Sequence, residues 1–221
     1  MKTLFTTLAF AALALQPALA DWVIVQKSAT DGQTQEMILK VKGEKARSDV
    51  GTQMSMILDG TGSNIILLMH PQKAMMKMSG DSLKSMMALA SSALGGGDKG
   101  APAKPQPTGE KEKVGQYDTE IYTWSGKIGS GKFWVAKDFP QAKELNAVQD
   151  KLTKAMGDPT AAFMPSAADF PGMIVKSEVK IMGKTITSET VSAKEEPVDD
   201  AIFILPADYK EMKMPTLPGG K

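Results

Sequence analysis

Methionine is the residue type whose number and spacing first suggest chemistry in this sequence. Six of the 16 methionines form Met-x-Met pairs, at Met54/Met56, Met76/Met78 and Met212/Met214. Thioether sulfur is a soft ligand that prefers Cu(I), and residues i and i+2 of a strand point to the same face about 7 Å apart. The pairs therefore raise the hypothesis of a copper site, to which His70 would add an imidazole.

The same methionines fit two interpretations that need no metal. All but the C-terminal pair lie where the period of a strand or helix places core residues, and methionine fills irregular apolar spaces or adapts to an apolar guest. Core packing is our first interpretation, an adaptable apolar ligand pocket the second and copper the third. His70, next to Pro71, is expected to be an exposed turn residue, and no metal site is predicted.

Catalytic and phosphate-binding motifs are weak in this chain. The segment GKIGSGKF at 126–133 begins like a phosphate-binding loop, but Phe133 stands where the magnesium-binding Ser or Thr should be, so we predict a hairpin turn. The chain has one histidine, no cysteine and no Gly-x-Ser-x-Gly motif, which leaves no usual pair of nucleophile and base. We expect neither an enzyme nor a bound cofactor.

The first 20 residues have the pattern of a signal peptide. Lys2 gives a positive start, residues 4–15 form an apolar run too short to span a membrane, and Ala18-Leu19-Ala20 is a small-residue cleavage site. Cleavage after Ala20 would leave 25 basic and 25 acidic residues. Because a neutral chain lacks the basic face that nucleic acid needs, we expect a soluble periplasmic or secreted protein that binds no nucleic acid and is not an integral membrane protein.

Alternating apolar residues predict the strands that would position these groups. In the first half of the chain the strands are expected around 22–24, 37–41, 54–58, 63–70 and 74–79, with tight turns at Asp31-Gly32 and Asp59-Gly60. In the second half they are expected at 116–126, 131–137, within a hairpin over 172–193 that turns near Gly183-Lys184, and at AIFILP, residues 201–206.

Two segments instead show helical spacing. The first carries Leu83, Met86, Met87, Ala90 and Leu94 behind Asp81 as a plausible N-cap. The second begins near Pro140 and presents an inner stripe of Leu145, Val148, Leu152 and Ala155.

The order of these elements predicts a single α+β domain over residues 21–215, followed by a flexible tail at 216–221. We expect a strongly curved antiparallel sheet, in the form of a half-open barrel, with two helices packed on one face. Between the first helix and the later strands, residues 95–113 are rich in Gly, Pro, Lys and Glu. That composition buries too little apolar surface to offset the entropy of ordering, so we expect a disordered insertion there.

Several segments resemble a family of secreted bacterial proteins defined as a domain of unknown function, DUF4412. The resemblance rests on MILKVKGEKARSDV and MSMILD, on LLMHPQKAMMKM, on VGQYDTEIYTW with GKFWVAKDFP, and on FILPADYKEMKMP. The FILPADY ending is also similar to that of the periplasmic lipoprotein-carrier (LolA-like) superfamily. That likeness implies a half-open antiparallel barrel in which helices cover an apolar cavity.

The resemblance implies a scaffold that holds an acyl chain or another apolar molecule between sheet and helices, and it transfers no catalytic residue. The candidate lining residues are Met54, Met56, Met76, Met78, Met86, Met87, Leu145 and Leu152. Our leading hypothesis is therefore a periplasmic binding or carrier protein for a lipid-like ligand. The alternatives are a copper-binding protein that uses the methionine pairs, and an envelope protein that presents a surface to another protein through residues 95–113 and its tail.

Overall fold

A computed structural model describes residues 21–60, 64–79, 82, 85, 103–155, 164–181 and 183–212 of the chain. In chain order the strands are β1 Trp22–Thr30, β2 Gln33–Lys42, β3 Lys45–Val50, β4 Met54–Asp59, β5 Asn64–Met69, β6 Ala74–Ser79, β7 Gln106–Val114, β8 Tyr117–Gly126, β9 Gly129–Ala136, β10 Met173–Ile181, β11 Lys184–Glu195 and β12 Lys210–Glu211. The described residues contain one complete α-helix, α1 at Ala142–Ala155, and two 3₁₀ helices, at Ala167–Asp169 and Asp200–Phe203.

All twelve strands belong to one sheet, in the order β12-β6-β5-β4-β3-β2-β1-β11-β10-β9-β8-β7. Strands β1 to β6 form one meander and β7 to β11 form another, and the pairing of β1 with β11 joins them. Every pair is antiparallel except β12 with β6, which is parallel. The sheet is not closed, because β7 and β12 lie at opposite ends of the order.

The predicted strands of the first meander are confirmed over the described residues, as is the turn at Asp31-Gly32, whereas β3 is an additional strand that the alternation does not predict. At the turn between β1 and β2, Asp31 and Gly32 have φ angles of 51° and 81°. Asp and Gly tolerate this left-handed region, which the tight turns of hairpins require. The segment that mimics a phosphate-binding loop is likewise the turn of the β8–β9 hairpin, as predicted.

The prediction of a disordered insertion at 95–113 is wrong for its second part. Gln106–Val114 forms β7, the edge strand that pairs with β8. All of its side chains are exposed except Val114. An edge strand with charged side chains lacks the apolar alternation from which buried strands are recognised, and it protects the edge from pairing with other chains.

The AIFILP segment is not the strand that its apolar residues predicted. Asp200–Phe203 is a 3₁₀ helix, because the side chain of Asp199 accepts a hydrogen bond from the backbone N–H of Ala201 and caps it. The strand after it, β12, is only the two residues Lys210–Glu211.

The fold class is confirmed at the level of a large open antiparallel sheet with a helix packed on it. The predicted stripe of α1 faces the core, where Leu145 and Leu152 are buried and Val148 is half-buried. The other predicted helix lies almost entirely outside the described residues, so the structure shows one packed helix rather than two. The largest apolar cluster lies between α1 and the sheet and includes buried residues from β1 to β10.

Candidate functional site

The register of strands β1 to β6 arranges one face of the sheet into three rows that cross all six strands. Row 1 is Trp22, Val41, Ala46, Leu58, Ile65 and Met78; row 2 is Ile24, Leu39, Ser48, Met56, Leu67 and Met76; row 3 is Gln26, Met37, Val50, Met54, Met69 and Ala74. Directly opposed residues lie about 5 Å apart and share a face. We call these three rows the methionine face, because six of their residues are methionines.

Burial decreases across the methionine face from row 1 to row 3. Every row 1 side chain is buried, and all six belong to the cluster that also contains Leu145 and Leu152 of α1. In row 3, by contrast, Met37, Met54 and Met69 are only half-buried. The side of the face beside α1 is therefore closed, whereas the opposite side retains accessible thioether surface.

The methionines predicted as lining residues do share this face, but as two separate groups. Met54 and Met56 lie on β4, while Met76 and Met78 lie on β6. Strand β5 runs between them, which sets the two backbones about 10 Å apart at the usual strand spacing. Met86 and Met87 lie outside the described residues.

Two methionines of the face were missed as site candidates by sequence reasoning. Met69 is directly opposite Met54, and Met37 continues row 3 on β2. Met37 could have been recognised from the sequence, since it alternates with Leu39 and Val41 on its own strand. The adjacency of Met54 and Met69 depends on the β4–β5 register, which the sequence pattern did not specify.

A cavity of about 140 Å³ lies between α1 and strands β1 and β2. Its apolar lining includes Trp22, Val41, Leu145 and Val148, and the charged residues at its border are Glu44, Glu144 and Lys151. Leu145 is the one residue of our predicted set that lines it; Leu152 packs in the adjoining core. The helix and the sheet thus leave a small apolar space beside row 1.

Hydrogen bonds to the segment before β10 fix α1 in place above the sheet. The Asn146 side chain donates to the carbonyls of Ala167 and Gly172, at 3.1 and 3.0 Å. The Asp150 carboxylate accepts from the Ser166 hydroxyl and from the backbone N–H of Ala167. Gly172 also lets this segment approach β9 closely, because a Cβ there would lie 2.2 Å from the Ala136 carbonyl oxygen.

The opposite face of β4 to β6 is also apolar, but the chain itself covers it. Ile57, Ile66 and Leu68 are buried there. Residues 199–212, which we call the C-terminal strap, pack over them through Phe203, Leu205 and Tyr209. The strap ends as β12 on the edge of β6.

A polar network that the sequence analysis did not foresee lies beneath this strap. The Ser55 hydroxyl donates to Asp49 at 2.6 Å and lies 2.7 Å from His70 Nε2, while His70 Nδ1 lies 2.7 Å from the Tyr209 hydroxyl. Arg47 donates to Asp49 and to the Ile202 carbonyl, both at 2.7 Å. His70 lies in the turn between β5 and β6 as predicted, but the prediction that it is exposed is wrong, since it is half-buried and contacts both β4 and the strap.

This network resembles a catalytic triad in composition but not in connectivity. The carboxylate of Asp49 contacts Ser55 rather than His70, and Ser55 is fully buried. In a triad the carboxylate orients the histidine and the serine is open to substrate. Burial alone would raise the pKa of Asp49, but hydrogen bonds from Ser55 and Arg47 outweigh it and lower that pKa. The Asp49 carboxylate instead anchors Arg47, and Arg47 holds the strap through the Ile202 carbonyl.

A larger cleft, of about 460 Å³, lies at the β7–β9 end of the sheet. Its lining is mostly charged and includes Lys111, Lys113, Asp118, Glu120 and Lys137. A hydrogen bond between Glu120 and Lys137 lowers the pKa of the carboxyl and raises that of the ammonium. With Glu112 and Asp138 the lining has three lysines and four carboxylates, so the cleft has no strong preference for an anion or a cation.

The described residues also bear on metal binding and on membrane insertion. They contain no group of three or more His, Asp or Glu residues that could hold a metal ion. Within the same part of the chain, no helix has the length and apolarity needed to cross a bilayer.

Comparisons with solved structures give distant matches. An uncharacterized conserved protein from Thermus thermophilus matches with a TM-score of 0.52 at 6% identity, over 88% of this chain and 91% of that one. The Mycobacterium tuberculosis lipoprotein LppX matches with a TM-score of 0.41 at 11% identity, over 80% and 88%. PNGF-II matches with a TM-score of 0.46 at 12% identity over 88% of this chain, which spans 31% of the length of PNGF-II.

Sequence comparison is more specific than these structural matches. No curated protein sequence matches the chain. The model of a domain of unknown function, DUF4412, matches residues 23–209, from the start of β1 to Tyr209 of the strap. The resemblance predicted from the sequence motifs is confirmed, and the chain belongs to the DUF4412 family.

Proposed function

We propose that this protein binds an apolar or lipid-like ligand on its methionine face and acts as a periplasmic binding or carrier protein, not as an enzyme. The observation that carries the proposal is that two apolar faces of the sheet are buried to different extents. The strap covers the face formed by Ile57, Ile66 and Leu68. On the methionine face, row 1 is buried beside α1, whereas the row 3 methionines Met37, Met54 and Met69 are half-buried in the described structure.

The chemistry of row 3 favours a guest of variable shape. Methionine side chains are unbranched and polarizable, so they adapt to different apolar surfaces. Such surfaces recur in proteins that bind several partners or ligands. The motifs similar to the lipoprotein-carrier superfamily support a lipid-like guest, and the signal peptide pattern supports a periplasmic location.

Native mass spectrometry of the protein purified gently from its own periplasm tests this proposal first. We expect a co-purifying mass of lipid size, released by denaturation and identified by its fragmentation. A protein that carries no such mass and does not bind the apolar fluorescent probe N-phenyl-1-naphthylamine would contradict the proposal.

Paired variants locate the binding site. Replacing Met54 and Met69 together with Gln should weaken binding of the fluorescent probe about tenfold, because roughly 50 Å² of apolar contact is lost. Met75→Gln is the matched control, since Met75 is also half-buried but packs with the strap on the opposite face. Equal loss in the control and the double variant would show that the probe binds elsewhere.

A copper-binding function is the second candidate, and one observation favours it. Met54 and Met69 are directly opposed, and Met56 lies two residues along β4 from Met54. Three thioethers on adjacent strand positions form a donor set that Cu(I) accepts. Stoichiometric copper in the purified protein, lost in the Met54→Gln/Met69→Gln variant and kept in Met75→Gln, would support this candidate over the apolar ligand.

An interaction with an envelope protein is the third candidate function. Recovery of the protein without a bound lipid or copper, together with co-purification of a defined protein partner, would favour it. Both the lipid and the copper hypotheses would then be withdrawn for this protein.

A further inference from the structure

The row 3 methionines present their thioether ends at the accessible side of the methionine face. Met37, Met54 and Met69 are half-buried, and each is paired with a residue of a neighbouring strand on both sides. These neighbours cover the backbone, and the side chains of a sheet stand roughly perpendicular to it. The exposed part of the three residues is therefore the outer end of the side chain, which carries the Sδ atom.

Other methionines of the chain provide an internal comparison. Met56, Met78 and Met173 are only 1%, 6% and 1% exposed and belong to the apolar cluster beneath α1. We call these three the core methionines. Met75 is half-buried like row 3, but it packs with the strap on the opposite face. A reagent dissolved in water therefore reaches row 3 and Met75 more readily than it reaches the core methionines.

The chemistry that such exposure permits is oxidation of the thioether. Because the chain contains no cysteine, no thiol competes with methionine for an oxidant. Hypochlorous acid converts methionine to methionine sulfoxide: the sulfur loses two electrons and gains one oxygen atom, while chlorine takes up the two electrons and leaves as chloride with one proton. Methionine sulfoxide reductases reverse the step, with two thiols oxidised to a disulfide and the oxygen released as water.

A sulfoxide in row 3 changes the surface while the fold is kept. Its oxygen is a polar acceptor, which water satisfies at a half-buried position. The same oxygen at a core methionine would be buried without a donor, at a cost of about 1–3 kcal/mol. An apolar guest on row 3 would have to strip water from the sulfoxides, which disfavours binding. Met54 and Met69 are directly opposed, so two such groups would meet at the centre of the accessible surface.

We propose that row 3 is a redox-sensitive modification site, at which reversible oxidation of Met37, Met54 and Met69 to sulfoxides releases the apolar ligand. This inference rests on the proposed function and adds to it a condition under which the ligand is released. Oxidation of Met75 leaves the ligand bound, because that residue lies on the face that the strap covers.

The test begins with hypochlorous acid added in increasing amounts to the purified protein. Peptide mass spectrometry should find sulfoxides at row 3 and Met75 before any at the core methionines. Binding of N-phenyl-1-naphthylamine should then weaken about tenfold, since oxidation removes the same apolar contact as the glutamine replacements. The midpoint of thermal unfolding should stay unchanged. Treatment with methionine sulfoxide reductases for both epimers, with dithiothreitol as the thiol, should restore binding.

Leucine variants separate the sulfur from the apolar surface. The triple variant Met37→Leu/Met54→Leu/Met69→Leu keeps side chains of similar volume and removes the oxidisable atoms. It should bind the probe as the wild type does and keep that affinity after oxidation. Met75→Leu is the matched control and should lose affinity on oxidation as the wild type does. Peptide mapping and probe binding of the wild-type protein keep the test informative if the triple variant does not fold.

The possible failures are distinguishable. Row 3 sulfoxides that leave probe binding unchanged would overturn the redox-sensitive site and leave the apolar-ligand proposal standing. A loss of binding that is equal in the triple leucine variant, or that the reductases do not reverse, would have the same consequence. Oxidation of the core methionines ahead of row 3 would overturn the accessibility on which the inference depends. A reduced wild-type protein that does not bind the probe would overturn both proposals.

Discussion

The two apolar faces of strands β4 to β6 are built differently, although they belong to the same strands. The strap-covered face uses branched aliphatic residues, Ile57, Ile66 and Leu68, with the polar network of Ser55 and His70 at its border. The methionine face uses unbranched thioethers, and the three methionines of its row 3 are half-buried in the described structure. The comparison indicates that apolarity alone does not define a core. Shape-specific side chains and a polar anchor hold the strap on one face, whereas adaptable side chains form the other, where we propose that the ligand binds.

The largest expected effect comes from breaking the packing of the covered face. Leu68 is fully buried beneath the strap, so Leu68→Ala should lower the free energy of unfolding by about 3 kcal/mol through lost burial and a cavity. Replacing the half-buried Met76 of the methionine face with Ala should lower the free energy of unfolding by only about 1 kcal/mol. Urea denaturation measures both. Equal losses would mean that the methionine face is packed as firmly as the covered one.

The next largest effect on stability is expected from one of two buried serines on neighbouring strands. Ser55→Ala removes the hydroxyl that contacts Asp49 and His70, and should cost about 2 kcal/mol because it leaves a charged partner less satisfied. Ser48, in row 2 of the methionine face, is equally buried but its hydroxyl has no partner within the described structure. Ser48→Ala should therefore be neutral or slightly stabilising. A cost as large as that of Ser55→Ala would show that Ser48 has an acceptor of its own.

A smaller effect appears in the pH dependence of the polar network. The lowered pKa of Asp49 means that its charged form stabilises the folded state above the unfolded pKa, which is near 3.8. This stabilisation is lost as pH falls through the folded pKa. The stability difference between wild type and Asp49→Asn should thus be complete above about pH 5 and shrink in more acidic solution. Thermal unfolding as a function of pH measures it, and a constant difference would contradict it.

The smallest effect is expected at the exposed ion pairs that border the strap. Lys73 and Asp208 approach to 2.8 Å, yet both side chains are more than half exposed. Water and salt screen such pairs, so Asp208→Asn should leave the urea midpoint unchanged within error. A clear loss of stability would show that the strap is held by surface charge more than by Tyr209 and its apolar neighbours.

Local patterns predicted the parts of the fold that local forces decide. The alternation of Met54, Met56 and Leu58 correctly placed these residues on one face of a strand, and Asp31-Gly32 correctly marked a turn. The pattern failed where tertiary context overrides propensity. The charged β7 is ordered by pairing with β8, and the apolar AIFILP segment becomes a 3₁₀ helix because Asp199 caps it.

For the candidate site, the sequence by itself determined the chemistry of the side chains: methionine-rich strands, an amphipathic helix with Leu145 and Leu152 inward, and family motifs along most of the chain. Only the tertiary structure decided which of these groups meet. Strand register brought Met54 beside Met69 and kept both away from Met78 on β6. The crossing of α1 over β1 and β2 left a small cavity beside Trp22. Register and packing angles depend on contacts between residues far apart in the chain, and period and composition do not encode those contacts locally.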